Sequence, residues 1–337
     1  MKVRNWLVLG GVASGAAALA LAISSFLPQR FDTYRWPETE TGESSTITGA
    51  EWPQVEVQFL RCGNITIPEP IAVRGSFSLA PCTIAHSAVL VRHPRATFLF
   101  DTGLCSDIFR YLEGQSLFFR KTLANFHFVQ SLRSHLVEQQ LGPGDLDFVL
   151  LSHLHWDHVS GIPDLPGLPL RVNRVEYDAA RSALLDANEG LVRRLMGKNA
   201  VELFDLDGPH YEGFRASHDL FGDGSIMLVP LPGHTAGSTG MFINRANGPR
   251  LFLLGDAAWV SQNYLRPATM HPFIWSRVTA DDATARQTLI DLHHFARRHP
   301  EVAMLAMHDA AAQDRFMANQ NKPENVIPVR LSQVRDE

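Results

Sequence analysis

One short stretch constrains this chain more than any other: His153-Leu154-His155-Trp156-Asp157-His158, set directly behind the apolar run Phe148-Val149-Leu150-Leu151 and Ser152. A compact apolar run of this length reads as a buried strand. While strand geometry persists, imidazoles at i and i+2 project to one side, so His153 and His155 leave the strand end together. Asp157 and His158 then fall in the turn, where the chain can redirect them. Three histidines and an aspartate crowded at a strand end do not fit an ordinary core, where such groups need partners. They fit a metal. The chain has 15 histidines against 3 cysteines, so imidazole and carboxylate are the donors to expect.

Three further donors recur at strand ends. His234 lies in the Gly-rich loop Leu231-Pro232-Gly233-His234-Thr235-Ala236-Gly237, Asp256 follows Leu253-Leu254-Gly255, and His308 with Asp309 follows Met304–Met307. Each alone has a bland reading as a turn or a cap. With the first four they supply six ligating side chains plus a carboxylate able to bridge. Zinc takes nitrogen and oxygen donors at about 2.0–2.2 Å and keeps an open position when catalytic.

The rest of the pattern supplies the scaffold. Val55–Phe59 alternates with period two, and Ser87–Arg92 and Thr97–Phe100 are apolar runs separated by His93-Pro94-Arg95. Residues 106–139 and 176–196 have helical spacing, a hairpin passes Gly222-Asp223-Gly224 into Ile226–Val229, and strands at 251–254 and 302–306 flank a helical pattern at 281–298. Strands in both halves with helices between them predict two sheets sandwiched by helices, in one catalytic domain over residues 54–337. At 45% hydrophobic and 19% charged residues the chain is neither disordered nor a disulfide-stapled mini-protein. A net charge of −5 argues against electrostatic capture of nucleic acid.

The amino terminus reads as an address. Lys2 and Arg4 precede an uncharged, largely apolar stretch from Asn5 to Gln29. That is the pattern of a signal peptide or a signal anchor over residues 1–30, and Trp6–Leu27 is long enough to span a bilayer. Either outcome places the domain in the periplasm or otherwise outside the cytoplasm, with a membrane contact through this helix if it is retained. Residues 31–53 are polar and read as a linker or edge segment. In that compartment Cys62 and Cys82 are candidates for a disulfide, three buried thiols being the alternative.

His153-x-His155-x-Asp157-His158, with His234, Asp256 and His308 in later loops and Asp101-Thr102-Gly103 after an early strand, resembles the metallo-β-lactamase fold superfamily over roughly residues 55–320. The resemblance implies an αββα sandwich with the site at one edge of the sheets. It implies two divalent ions, zinc in its hydrolases: one on His153, His155 and His234, the second on Asp157, His158 and His308, with Asp256 bridging. Asp256-Ala257-Ala258 and His308-Asp309 most resemble the acyl-homoserine lactonase branch. There a tyrosine stands three residues after the bridging aspartate; here Trp259 does, and Tyr264 is the candidate substitute.

The implied activity is hydrolysis of a small lactone or ester by a metal-bound hydroxide, with Asp157 and Asp256 serving catalysis. A mononuclear iron sulfur-dioxygenase and a thioester hydrolase are the alternatives from the same superfamily. Asp101 is a candidate to fix a ligand imidazole, or a turn cap, and Asp309 likewise. Phe118 and Phe119 stand in an aromatic segment that reads as a wall for an acyl chain or as an ordinary helix face. His86, His93, His210 and His218 read as surface or structural.

Overall fold

The computed structural model describes residues 23–31, 52–180 and 190–319. β1 (Glu56–Pro68), β2 (Pro81–His93) and β3 (Ala96–Thr102) run antiparallel in succession, with β4 (His127–Phe128) on the outer edge of β1. β5 (Phe148–Leu150), β6 (Leu170–Asn173) and β7 (Val201–Phe204) then add parallel to β3, giving a seven-stranded sheet of order β4-β1-β2-β3-β5-β6-β7. β8 (His218–Asp219), β9 (Ile226–Pro230), β10 (Thr239–Ile243), β11 (Leu251–Leu253) and β12 (Ala303–Leu305) form a five-stranded sheet of order β12-β11-β10-β9-β8. Helices α1 (Glu69–Ala72), α2 (Ile108–Leu112), α3 (Leu117–Thr122), α4 (Leu132–Glu138), α5 (Trp156–Val159), α6 (Arg174–Ala179) and α7 (Leu191–Met196) belong to the first half. α8 (Ser261–Leu265), α9 (Pro272–Val278), α10 (Asp282–Arg298) and α11 (Ala310–Asn319) belong to the second.

Period-two alternation sorts the side chains into layers. In β3, Phe98 and Phe100 enter a central core with Phe148 and Leu150 of β5, while Leu99 and Val149 face a second core built with Ile108, Leu132 and Leu191 of the helices. In the other sheet, Leu228, Met241, Ile243 and Leu253 close the central core, and Phe242 and Phe252 face Leu289, Leu292 and Phe295 of α10. Apolar side chains on both faces of each sheet require cover on both sides, and the result is the αββα sandwich. α10 is fixed at its start by Asp281, whose carboxylate accepts from the Ala283 and Thr284 amides, and ends on Arg297 and Arg298, which suit the helix dipole.

Topology converts this into a site. β3 and β5 are parallel, and β9, β11 and β12 point alike because β10 runs antiparallel to β9 and β11. The carboxyl ends of all five therefore meet at one edge of the sandwich. Two backbone bonds tie the sheets together there, from Thr239 N to Ser152 O (2.9 Å) and from Ala85 N to His308 O (2.9 Å).

Several expectations change. Residues 106–139 form three short helices and β4, because the Ser116 and Ser131 hydroxyls each accept from an amide three residues on and start a new helix. Within 176–196 the described helices are α6 and α7, and residues 181–189 lie outside the described residues. Cys62, Cys82 and Cys105 are all free thiols. The β1–β2 register sets Cys82 opposite Ile67, several residues from Cys62, too far for a disulfide. Of the predicted address helix, residues 1–22 lie outside the described residues, as do 32–51 of the linker. Among the described residues no helix is long and apolar enough to cross a membrane.

Candidate metal centre

β5 ends at Leu150 and α5 begins at Trp156, so His153 and His155 lie in the connecting loop, His155 on extended backbone, while Asp157 and His158 occupy the single turn of α5. His153, His158, His234, Asp256 and His308 are buried. Their loops are held in place by close approaches. At Gly233, φ is +120° and a β-carbon would stand 2.2 Å from the Ala285 amide nitrogen. At Gly237 it would stand 2.2 Å from the Glu176 nitrogen, so only glycine lets the His234 loop lie between α6 and α10. Glu176 itself is buried and links two ligand loops: its carboxylate accepts from the Leu154 amide at 2.8 Å and the Gly237 amide at 3.0 Å.

Two donor groups share the pocket floor. His234 Nε2 lies 3.2 Å from His153 Nε2 and 2.8 Å from His155 Nδ1. A single proton on His234 Nε2 cannot serve both contacts, so lone pairs face each other, an arrangement a cation between the rings would relieve. In the second group, His308 Nε2 lies 3.1 Å from Asp256 Oδ2 and 3.5 Å from Asp157 Oδ2. His158 Nε2 is 3.2 Å from Asp256 Oδ1, yet both atoms are buried without a hydrogen-bond partner. Asp256 thus stands between the groups, 3.5 Å from His234 Nε2. Candidate donor sets are His153/His155/His234, His153/His158/Asp256 and His86/Asp157/His308.

The far nitrogens are oriented as metal ligands require. Asp101 accepts from His158 Nδ1 at 2.8 Å and from the Ser152 amide and hydroxyl at 2.8 Å each. The Ser152 hydroxyl contacts His153 Nδ1 at 2.9 Å, and His308 Nδ1 donates to the Ala85 carbonyl at 2.6 Å. Asp101 occupies the left-handed region at φ 55°, which few residues other than glycine adopt but aspartate tolerates, and its carboxylate faces this network.

Electrostatics separates the histidines into two classes. Burial, with neighbouring imidazoles, holds His153 well below the usual range and His234 near about 3. Burial also lowers His155 against the pull of Asp157. For His158 and His308 burial is overcome by carboxylates: Asp256, Asp101 and Asp157 raise the first, and Asp256 and Asp157 the second. Burial likewise opposes charge on Asp157 and Asp256, but His158 and His308 hold both carboxylates ionised.

Above the donors is a cavity of about 330 Å³ walled by Ile65, Ile67, Ile84, Phe119, Trp156 and Ile274, with Trp259 and Arg277 on its sides. The structure brings all seven sequence-derived donors together. It distributes the substrate candidates differently. Phe119 and Trp259 line the cavity, but the Trp259 indole donates to Asp256 Oδ2 at 3.1 Å and so holds the carboxylate. Phe118 is half exposed and outside the cavity. Tyr264 is buried in the core under α10, where its hydroxyl donates to the Met304 carbonyl, so it cannot replace the missing tyrosine. Asp309 accepts from the Ser261 amide and hydroxyl and from the Ala312 amide, a cap and tie rather than a partner of His308. His86 was not expected at the site. It lines the cavity 5.6 Å from the His308 ring, and burial lowers it to about 4.

An αββα sandwich with a histidine–aspartate cluster on the shared edge of its sheets is the architecture of a metallohydrolase. Residues 83–287 match the metallo-beta-lactamase superfamily, and the chain belongs to it. The N-acyl homoserine lactonase AttM of Rhizobium radiobacter is 28% identical over 174 residues, 52% of this chain and 62% of that protein. A probable metallo-hydrolase of Mycobacterium tuberculosis, Rv2300c, is 28% identical over 279 residues, 77% of this chain and 82% of that protein. The crystal structure of a quorum-quenching N-acyl homoserine lactone lactonase superposes with a TM-score of 0.58 at 16% identity, over 83% of this chain and 98% of that one, a likeness of fold.

Proposed function

We propose that the protein is a hydrolase of lactones or esters bearing an apolar acyl group, using two divalent ions, zinc in the first instance. One observation carries this reading: ring nitrogens face one another at 2.8 and 3.2 Å on the floor of an apolar-walled cavity, with a buried carboxylate between the two donor groups. The residues fit the ions. His153, His155 and His234 would hold one, Asp157, His158 and His308 the other, and Asp256 would reach both. Bound there, such ions lower the pKa of a water to about 7 and polarise a carbonyl oxygen.

The remaining work falls to the chain. Phe119, Trp156 and Ile274 give an acyl chain an apolar wall and exclude bulk water. The Trp259 indole fixes Asp256 and leaves its carboxylate plane set before substrate arrives. Asp157, which lines the cavity and is held ionised, is placed to take a proton from the attacking water. It returns that proton to the departing alkoxide as the acyl C–O bond breaks, so a lactone opens to a hydroxy acid. On the sequence pattern of residues 1–30, the same reading places this domain outside the cytoplasm, secreted or anchored.

The test is a panel of lactones, aryl esters, thioesters and β-lactams on purified protein, with metal content and oxygen uptake measured on the same sample. The reading expects two ions per chain, no oxygen uptake and a preference for lactones or esters with longer acyl chains. One iron per chain with oxygen consumption would replace it with the dioxygenase alternative.

A further inference from the structure

We infer that the outer side of the cavity's two wall helices is a docking surface for a lipid bilayer carrying anionic headgroups. Helices α3 and α9 each have two roles. Phe119 and Thr122 of α3, and Ile274 and Val278 of α9, face the cavity. Trp275 of α9 is buried in the core, and three further apolar side chains point outward: Leu117 is 64% exposed, Phe118 50% and Phe273 41%. Phe118 and Phe273 meet edge to face at 6.2 Å, and the Arg277 guanidinium covers Phe273 at 3.8 Å.

This patch continues into the amino-terminal segment. His271, whose side chain caps α9, packs on Phe26 at 4.5 Å and bonds the Ser25 hydroxyl at 2.8 Å. Arg74 donates to the Ser24 and Leu27 carbonyls, which seats residues 24–27 beside α9. Ile23, Phe26 and Leu27 are exposed there, extending the apolar surface. An apolar surface of this extent, on a chain that is otherwise acidic overall, calls for a partner.

The sequence says what kind. The uncharged run Asn5–Gln29 enters the described residues at Ile23, so a stretch with the composition of a bilayer segment arrives beside the patch. Arg120 and Lys121 lie on the same helix as the exposed Leu117 and Phe118, one residue further on, and are themselves exposed, and no acidic residue occurs from Gly114 to Val137. Exposed Leu and Phe flanked by Arg and Lys are the composition of an interfacial segment: apolar groups enter the acyl boundary while cations meet anionic headgroups. Docked this way, the helices that wall the cavity lie on the lipid, where apolar acyl compounds concentrate. The surface is inferred independently of the hydrolysis proposed above.

The experiment places an environment-sensitive fluorophore on full-length Phe118→Cys, Phe273→Cys and Glu138→Cys, with the unsubstituted protein as labelling background. Glu138 is exposed at the end of α4, next to Gln139, which contacts Arg92 near the opposite edge of the sandwich. With phosphatidylglycerol–phosphatidylcholine vesicles containing nitroxide lipid, the probes at 118 and 273 should shift to the blue and be quenched severalfold more than the probe at 138. Equal quenching at all three positions overturns the inference, including the case in which residues 5–29 insert while the domain stays off the surface. So does a probe at 118 or 273 already shielded before vesicles are added, which means another segment or a second copy covers the patch.

Discussion

Asp101→Asn isolates a charge with almost no change of shape. Asparagine tolerates the left-handed backbone at this position, so strain is not the variable. Asp101 Oδ1 serves the Ser152 amide, and Oδ2 serves both the Ser152 hydroxyl and His158 Nδ1. An amide retains one acceptor. With that oxygen on the Ser152 amide, the new NH2 group points at His158 Nδ1, which must give up its proton and accept instead. The proton then moves to Nε2, the nitrogen facing Asp256, and blocks it as a ligand. Loss of such an orienting group weakens metal binding by about 10- to 100-fold, or about 1.4–2.8 kcal/mol. The upper end is expected, because Oδ2 holds two of the three bonds. Zinc titration of the chelated protein with a competing indicator should show the class of site that contains His158 weakened by this amount and the His153/His155/His234 class, reached from Asp101 only through the Ser152 hydroxyl, weakened less. Equal loss in both classes, or none in either, would refute the tautomer argument.

Three further outcomes follow from the same geometry. His158 and His308 are both raised by the carboxylates around them, so the metal-free protein holds protons on them more tightly than on free imidazoles, and ligation must displace those protons. Calorimetry in buffers of different ionisation enthalpy should find more protons released as that class of site fills than as the His153/His155/His234 class does, and affinity there should fall as pH drops. The His153/His155/His234 class, already neutral with His234 near about 3, should fill at pH 7 without proton release. The contribution of the raised histidines to metal-free stability runs the other way: it is full below about pH 6.5 and is lost as pH rises through their folded pKa, while the lowered His153, His155 and His234 oppose it below about pH 6.5. Glu176→Ala leaves the Leu154 and Gly237 amides buried without an acceptor, costing about 1–3 kcal/mol for each. Denaturant unfolding should show that loss, with Glu176→Gln, which keeps one acceptor, intermediate; wild-type stability in the alanine variant would refute the role assigned to Glu176.

The site was legible to the extent that its residues carry local signals. His153 to His158 are contiguous, and His234, Asp256 and His308 each follow an apolar strand, so one strand-end rule located them all. Asp101 was readable for the same reason. Glu176 and His86 were not: one sits in a helix and the other in a buried strand, with nothing in their neighbours to distinguish them, and only the packing of α6 and β2 brings them to the centre. Tyr264 misled because sequence proximity to Asp256 says nothing of direction, and α8 turns it into the core. The 106–139 segment misled because its aromatics repeat at helical intervals although Phe109 of α2, Phe126 of the loop before β4 and Phe128 of β4 come from different stretches that cluster in space.

The most direct measurement is metal content by mass spectrometry of the full-length protein loaded with zinc and freed of excess, beside Asp256→Ala and His234→Ala. Two ions per wild-type chain and fewer in both variants, with activity falling in step, is the predicted result. A wild-type chain that retains no ion, or variants that retain as many as the wild type, would contradict the convergence of these side chains into a metal centre.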